Sequence, residues 1–176
     1  MFERFGKFGT LDELNAKAEE LFNASDMSGL LFLASENGLP KELAEAYAAG
    51  ETPYFADVKL MAAGRIKIEA ADMGAEEIME DWADYIITLA EGSEKFASQV
   101  IGKGKSFIGC VGALAAYSVV HAENVPKEVI KAIEKAVTDE QLKKIGLQRQ
   151  HLQYTKIGMP GMGTAKRLIR QYYGGK

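Results

Sequence analysis

The sequence predicts an all-α protein: a single compact multi-helix domain with a basic C-terminal helical appendage. Three observations predict this class. Thr10-Leu11-Asp12-Glu13 and Thr138-Asp139-Glu140-Gln141 are capping boxes, in which a hydroxyl and a side chain three residues on satisfy reciprocal backbone donors. Apolar residues recur at helical spacing along most of the chain. No extended stretch finds a second strand signal to pair with, and a lone strand is not stable.

Taken in order, Leu14, Ala18, Leu21 and Phe22 carry a first helix over about 11–23. Asp26 or Ser28 caps a second, 30–36, which Asn37-Gly38 stops; Pro40 opens a third that ends at Gly50. Residues 1–50 thus form a subregion of short helices. Thr52-Pro53 is expected to open a fourth helix ending near Gly64, and the alternation Arg65-Ile66-Lys67-Ile68-Glu69 reads as extended or irregular. The fifth, about 75–91, has an apolar stripe of Ile78, Trp82, Tyr85, Ile86 and Leu89. A sixth starts at Ser93-Glu94-Lys95. The seventh, 107–121, is apolar almost all round and rich in Gly and Ala, which predicts a central buried helix with close neighbours and, with Trp82, the core. Pro126 starts an eighth bearing Val129, Ile130, Ile133 and Val137.

A chain of 176 residues can bury roughly 70% of the surface its unfolded form exposes, enough for one domain without a staple. One cysteine and two histidines furnish neither an internal disulfide nor a structural zinc site, so no metal or cofactor is expected, and the location expected is an intracellular, reducing one. The first residues carry charges at positions 3, 4 and 7 and no continuous apolar core, so no signal peptide is read there. The longest apolar run, Val111 to Tyr117, falls far short of the roughly 20 residues of a membrane span.

Charge is divided unevenly. Of 21 basic and 25 acidic residues, eight basic and no acidic ones lie in 141–176, leaving 13 basic and all 25 acidic in 1–140. The chain therefore reads as an acidic all-α domain, 1–140, with a basic helical segment, 141–176, packed on it, and such asymmetry points to a charged macromolecular partner. Nine acids and no Lys or Arg occupy 69–94. Within them Glu76, Glu77, Glu80, Asp81 and Asp84 are the candidate partner face, a row of carboxylates that can imitate a phosphate backbone and dock on a basic groove, or else stay merely solvated. They lack the Glu-x-x-His pairing of di-iron bundles.

In the basic segment Pro160-Gly161 signals a turn, Gly163 allows a close backbone approach, and Gly163 or Thr164 can cap a helix with Leu168, Ile169 and Tyr172 on one side. The turn is similar to a helix-hairpin-helix, which hands a DNA phosphate to a helix N-terminus, although Ala165 follows Gly163 at a shorter spacing than that motif uses. Gly161, Gly163, Lys166, Arg167 and Arg170 are accordingly candidate anion-binding residues for DNA or RNA, beside a plain packing turn as the other reading. Lys103 and Lys105 join them. Gly102 to Ser106 matches only the end of a phosphate loop, with Gln99 where Gly is required, and reads as a turn between helices. His121 and Cys110 read as structural, because no nucleophile sits in an activating turn.

Phe2-Glu3-Arg4-Phe5-Gly6 with Glu13-Leu14-Asn15, Leu33-Ala34 with Glu36-Asn37-Gly38, Ile78 to Trp82, Gly102 to Ser106 with Gly109-Cys110, and Gly158 to Tyr173 together resemble a family of small proteins of bacterial mobile elements, phages or plasmids, described as type II anti-CRISPR proteins, that is, Cas9 inhibitors. The resemblance implies a non-enzymatic protein whose partner is a Cas9 effector or its guide-RNA complex. A DNA-handling accessory role on a mobile element is the alternative.

Overall fold

The computed structural model describes residues 3–174, and it is built mostly of helix. Its backbone divides into two compact units, Met1–Val111 with Lys166–Lys176, and Gly112–Ala165. The backbone thus divides at other points than the charge, which changes at residue 140.

In the first unit, α1 (Leu11–Asn23) begins on the expected capping box: the Thr10 hydroxyl accepts from the Glu13 N–H at 3.3 Å and the Glu13 carboxylate from the Thr10 N–H at 3.2 Å. Asp26 caps α2 (Met27–Glu36) through the Gly29 N–H at 2.7 Å, and α3 (Lys41–Ala48) follows Pro40. Leu14, Leu21, Leu30, Leu33 and Phe55 bury one core among these elements. α4 (Val58–Met73) packs against α5 (Ile78–Gly92) and α6 (Glu94–Val100), and Trp82 and Ile86 of α5 are buried.

Two expectations fail at α4. It starts at Val58, because Asp57 and not Thr52 supplies the cap, its carboxylate accepting from the Leu60 N–H at 2.8 Å. It also runs straight through Gly64 and the alternating stretch to Met73. Gly64 does not stop the helix. A Cβ there would lie 2.2 Å from the Asn37 carbonyl oxygen, and one on Gly38, which holds φ +66°, would lie 2.4 Å from the Gly64 carbonyl oxygen. Gly64 therefore lets the helix backbone meet the α2–α3 turn, and Ile66 is buried beyond it.

That turn also holds the chain before α1. The Glu36 carboxylate accepts from the amides of Arg4, Phe5 and Gly6 at 2.5, 2.8 and 3.1 Å, while Asn37 accepts from the Phe8 N–H at 3.1 Å and donates to the Gly6 and Leu33 carbonyls. Burial pushes the Glu36 carboxyl up, but the three amides and the Arg4 charge outweigh it and hold the group below the usual carboxylate range.

In the second unit, α8 (Lys127–Ala136), α9 (Asp139–Lys144) and a 3-10 helix (Arg149–Tyr154) bury Ile130, Leu142 and Leu152. The second capping box is present at Thr138. One strand pair occurs where none was expected: β1 (Glu123–Asn124) runs antiparallel to β2 (Lys156–Ile157), each too short to leave a signal in the sequence. Gly158 then passes so close to Ser118 that a Cβ would sit 2.0 Å from its carbonyl oxygen.

α7 (Phe107–Val120) is not the central buried helix that its composition suggests. Phe107, Cys110 and Leu114 are buried as one stripe, whereas Ile108, Val119 and Val120 are 66, 79 and 76% exposed. Between them Gly112, Ala113, Ala115 and Ala116 are also exposed, and their small surface gains little from burial, so an apolar composition all round does not force enclosure. α10 (Met162–Tyr173) closes the described chain, with Ala165, Ile169 and Tyr173 buried.

Gly64→Ala is expected to destabilise the protein by up to about 2 kcal/mol: forcing a methyl against backbone costs about 1–3 kcal/mol, and the gain in helix propensity, about 1 kcal/mol, offsets part of it. Chemical denaturation checks this, and a more stable variant would refute the close approach. The Glu36 contacts predict a pH dependence. Its folded pKa lies below the ordinary 4.5, so its contribution is present above the unfolded value and is lost as pH falls through the folded one. Protection of the Phe5 and Gly6 amides, taken relative to their intrinsic exchange rates, should hold down to pH 4.5 and fall only below it; loss of protection above that pH would contradict the assignment.

Candidate functional site

The carboxylates of Glu76, Glu77, Glu80, Asp81 and Asp84 all belong to exposed residues at the start and along one side of α5, while Trp82, Ala83 and Ile86 turn into the core. Glu80 and Asp81 occupy the first turn, where negative charge complements the helix dipole. Glu77 precedes it at φ +49°, in the left-handed region that a residue with a Cβ rarely adopts, and makes no capping hydrogen bond. Among the described residues, the ion pairs are Arg4–Asp26, Lys7–Asp72, Lys17–Glu20 and Arg149–Asp139, so none involves these five acids.

Basic residues distant in sequence reach this same helix. Lys166 Nζ lies 4.9 Å from the centre of the Tyr85 ring and Arg170 Cζ 5.8 Å from it. Each such contact contributes about 0.5–1 kcal/mol at an exposed site. Part of the basic segment is therefore laid against the acidic helix through an aromatic ring that helical spacing alone places in the apolar stripe. Arg167 donates to the Gln171 side chain at 3.1 Å.

The remaining anion-site candidates are placed differently from one another. Lys105 does not reach into solvent: its ammonium donates to the Tyr172 carbonyl and sits 4.8 Å from the Tyr172 ring centre, which ties down the end of α10. Lys103 is exposed on the same turn. Two of the amides a phosphate would need at the start of α7 are taken, since Glu69 accepts from the Phe107 N–H at 2.5 Å and the Ser106 hydroxyl from the Gly109 N–H at 3.1 Å. α10 begins at Met162, with its first helical bond from the Ala165 N–H to the Gly161 carbonyl at 2.9 Å, so Gly161 stands where Gly163 or Thr164 was expected as the cap. A Cβ on Gly161 or Gly163 would meet no atom within 4 Å among the described residues. The close approach expected of Gly163 belongs instead to Gly158.

His121 is exposed and stacked on Tyr117, with ring centres 3.9 Å apart, and its Nδ1 lies 3.0 Å from the Tyr117 carbonyl oxygen. Burial pushes the Cys110 thiol up to about 12. Among the described residues no group of three or more His, Cys, Asp or Glu side chains converges as a metal site, and no helix is long and apolar enough to cross a membrane. Comparison with protein-family models, with curated proteins and with solved structures finds no match to this chain.

The sequence reading missed one feature, a cleft with aromatic and acidic walls beside α1. Its residues lie scattered from Leu11 to Glu94, so no local pattern in the sequence marks it.

Cys110 gives a direct check on the packing of α7. In the native protein at neutral pH its thiol should resist a thiol-reactive dye and become reactive on unfolding, because the thiolate is the reacting form. Rapid labelling of the folded protein would place it at the surface.

Proposed function

We propose that this chain is a non-enzymatic inhibitor that binds a Cas9 effector, with the carboxylates of α5 meeting a basic surface of that nuclease. The observation that carries the reading is the row from Glu76 to Asp84: five exposed acids with no ion pair among the described residues. An acidic row left unneutralised on a rigid helix steers a basic partner and excludes an acidic one. Lys166 and Arg170, stacked on Tyr85, would then border the contact rather than form a separate pole.

A second reading, nucleic-acid binding through the basic segment, is favoured by the exposed start of α10 at Gly161 to Gly163. In it the first-turn amides take a phosphate, and Lys166, Arg167 and Arg170 supply charge. The engagement of Lys105 with Tyr172 and of Lys166 and Arg170 with Tyr85 weighs against it.

The two readings separate in one set of measurements on the purified protein. Replacing Glu76, Glu80 and Asp84 by Lys should slow association with Cas9 roughly tenfold or more at low salt and much less at high salt. Unchanged association would leave this face merely solvated. Binding of duplex DNA by the unmodified protein, with a salt slope that flattens by roughly 0.9 for each charge lost from Lys166, Arg167 and Arg170, would favour the accessory role instead.

A further inference from the structure

A cleft of about 860 Å³ opens in the first unit between α1, the segment joining α3 to α4, and the start of α6. Four carboxylates line it, those of Asp12, Glu19, Asp57 and Glu94, and its wall contains no Lys or Arg. None of the four is in an ion pair among the described residues. Asp57 already receives the Leu60 N–H, whereas Glu19 and Glu94 are exposed with their charges free to meet a ligand.

Aromatic rings make up the rest of the recognition surface. Tyr54 is 68% and Phe22 42% exposed, and both line the cleft. Tyr47 stands between Phe22 and Phe55, with ring centres 5.5 and 5.6 Å away, so the rings are braced against one another. The Asn15 side chain fixes the opposite wall by donating to the Ala56 carbonyl at 3.0 Å and accepting from the Ala56 N–H at 2.9 Å. Thr52 Oγ1 is buried in the wall with no hydrogen-bond partner.

We infer that this cleft binds an arginine-bearing segment of a polypeptide, with the guanidinium laid on the exposed Tyr54 and Phe22 rings and its donors directed to Glu19 and Glu94. Carboxylates without a neutralising base select a cation. Exposed ring faces favour the planar guanidinium over the compact, strongly hydrated ammonium of lysine. The cleft volume is that of a site for more than one side chain, so residues flanking the arginine enter with it. This inference does not rest on the α5 reading, because the cleft shares no residue with that face.

The probes are acetyl-Gly-Arg-Gly-Gly-amide and its lysine and citrulline counterparts, titrated into the whole protein while backbone amide resonances are followed. Saturable shifts centred on Phe22, Gly50, Thr52 and Tyr54 are expected with the arginine peptide, weaker ones with lysine, and little with the neutral citrulline. Tyr54→Ala should weaken the arginine peptide about 2–5-fold. The Glu19→Gln/Glu94→Gln pair should weaken it about 2–10-fold at low salt and less at high salt. All three residues are exposed, so folding should survive, and the dispersion of the same spectra reports it. Equal binding of citrulline or of lysine, shifts centred on Glu76 to Asp84, or no saturation at all would each overturn the proposal; loss of Cas9 association with these shifts intact would leave it standing.

Discussion

The backbone contact between Gly64 and the Asn37–Gly38 turn is the constraint on which the first unit depends. Two stretches of main chain approach there as closely as main chain can, and either glycine replaced by a larger residue would force them apart. Once α4 is seated on this turn, its far end meets α5 and α6, and Ile66 enters the core beyond it. Glu36 and Asn37 of the same turn also collect the amides of the chain before α1. One turn thus ends a helix, receives another and anchors an arm, using a carboxylate, an amide and a missing side chain for three separate tasks.

Electrostatics in this protein is arranged by neighbourhood more than by position in the chain. The acidic run and the basic segment, far apart in sequence, come together at Tyr85, where a ring face receives Lys166 and Arg170. Such contacts leave the carboxylates of α5 unpaired while limiting how far the cations can reach. Within the basic segment Arg149 also takes a structural duty, on Asp139 and on the carbonyls of Glu134 and Val137. A formal count of eight positive charges therefore overstates what a phosphate backbone would meet.

Two acidic surfaces remain on the first unit, and they differ in kind. The α5 face is a convex row suited to encounter and steering, where affinity depends on salt. The cleft beside α1 is concave and ring-lined, with room for more than one side chain.

By itself the sequence determined the helical class, both capping boxes, the bounds of α1 and the position of α8, because these depend on contacts within one turn of chain. It also located the acidic face, since charge at four-residue spacing on a helix must share a side whatever packs behind it. The start and length of α4, the exposure of α7 and the true cap of α10 were decided by tertiary structure. Gly64 reads as a stop when only local propensity is weighed, and as a contact once the α2–α3 turn lies against it. Gly and Ala around α7 read as a buried surface, but only Phe107, Cys110 and Leu114 have the bulk and register to be enclosed. Clefts, likewise, are made by residues remote in sequence, so the walls beside α1 carry no local pattern; their chemistry exists only where folding places Glu19, Tyr54 and Glu94 around one space.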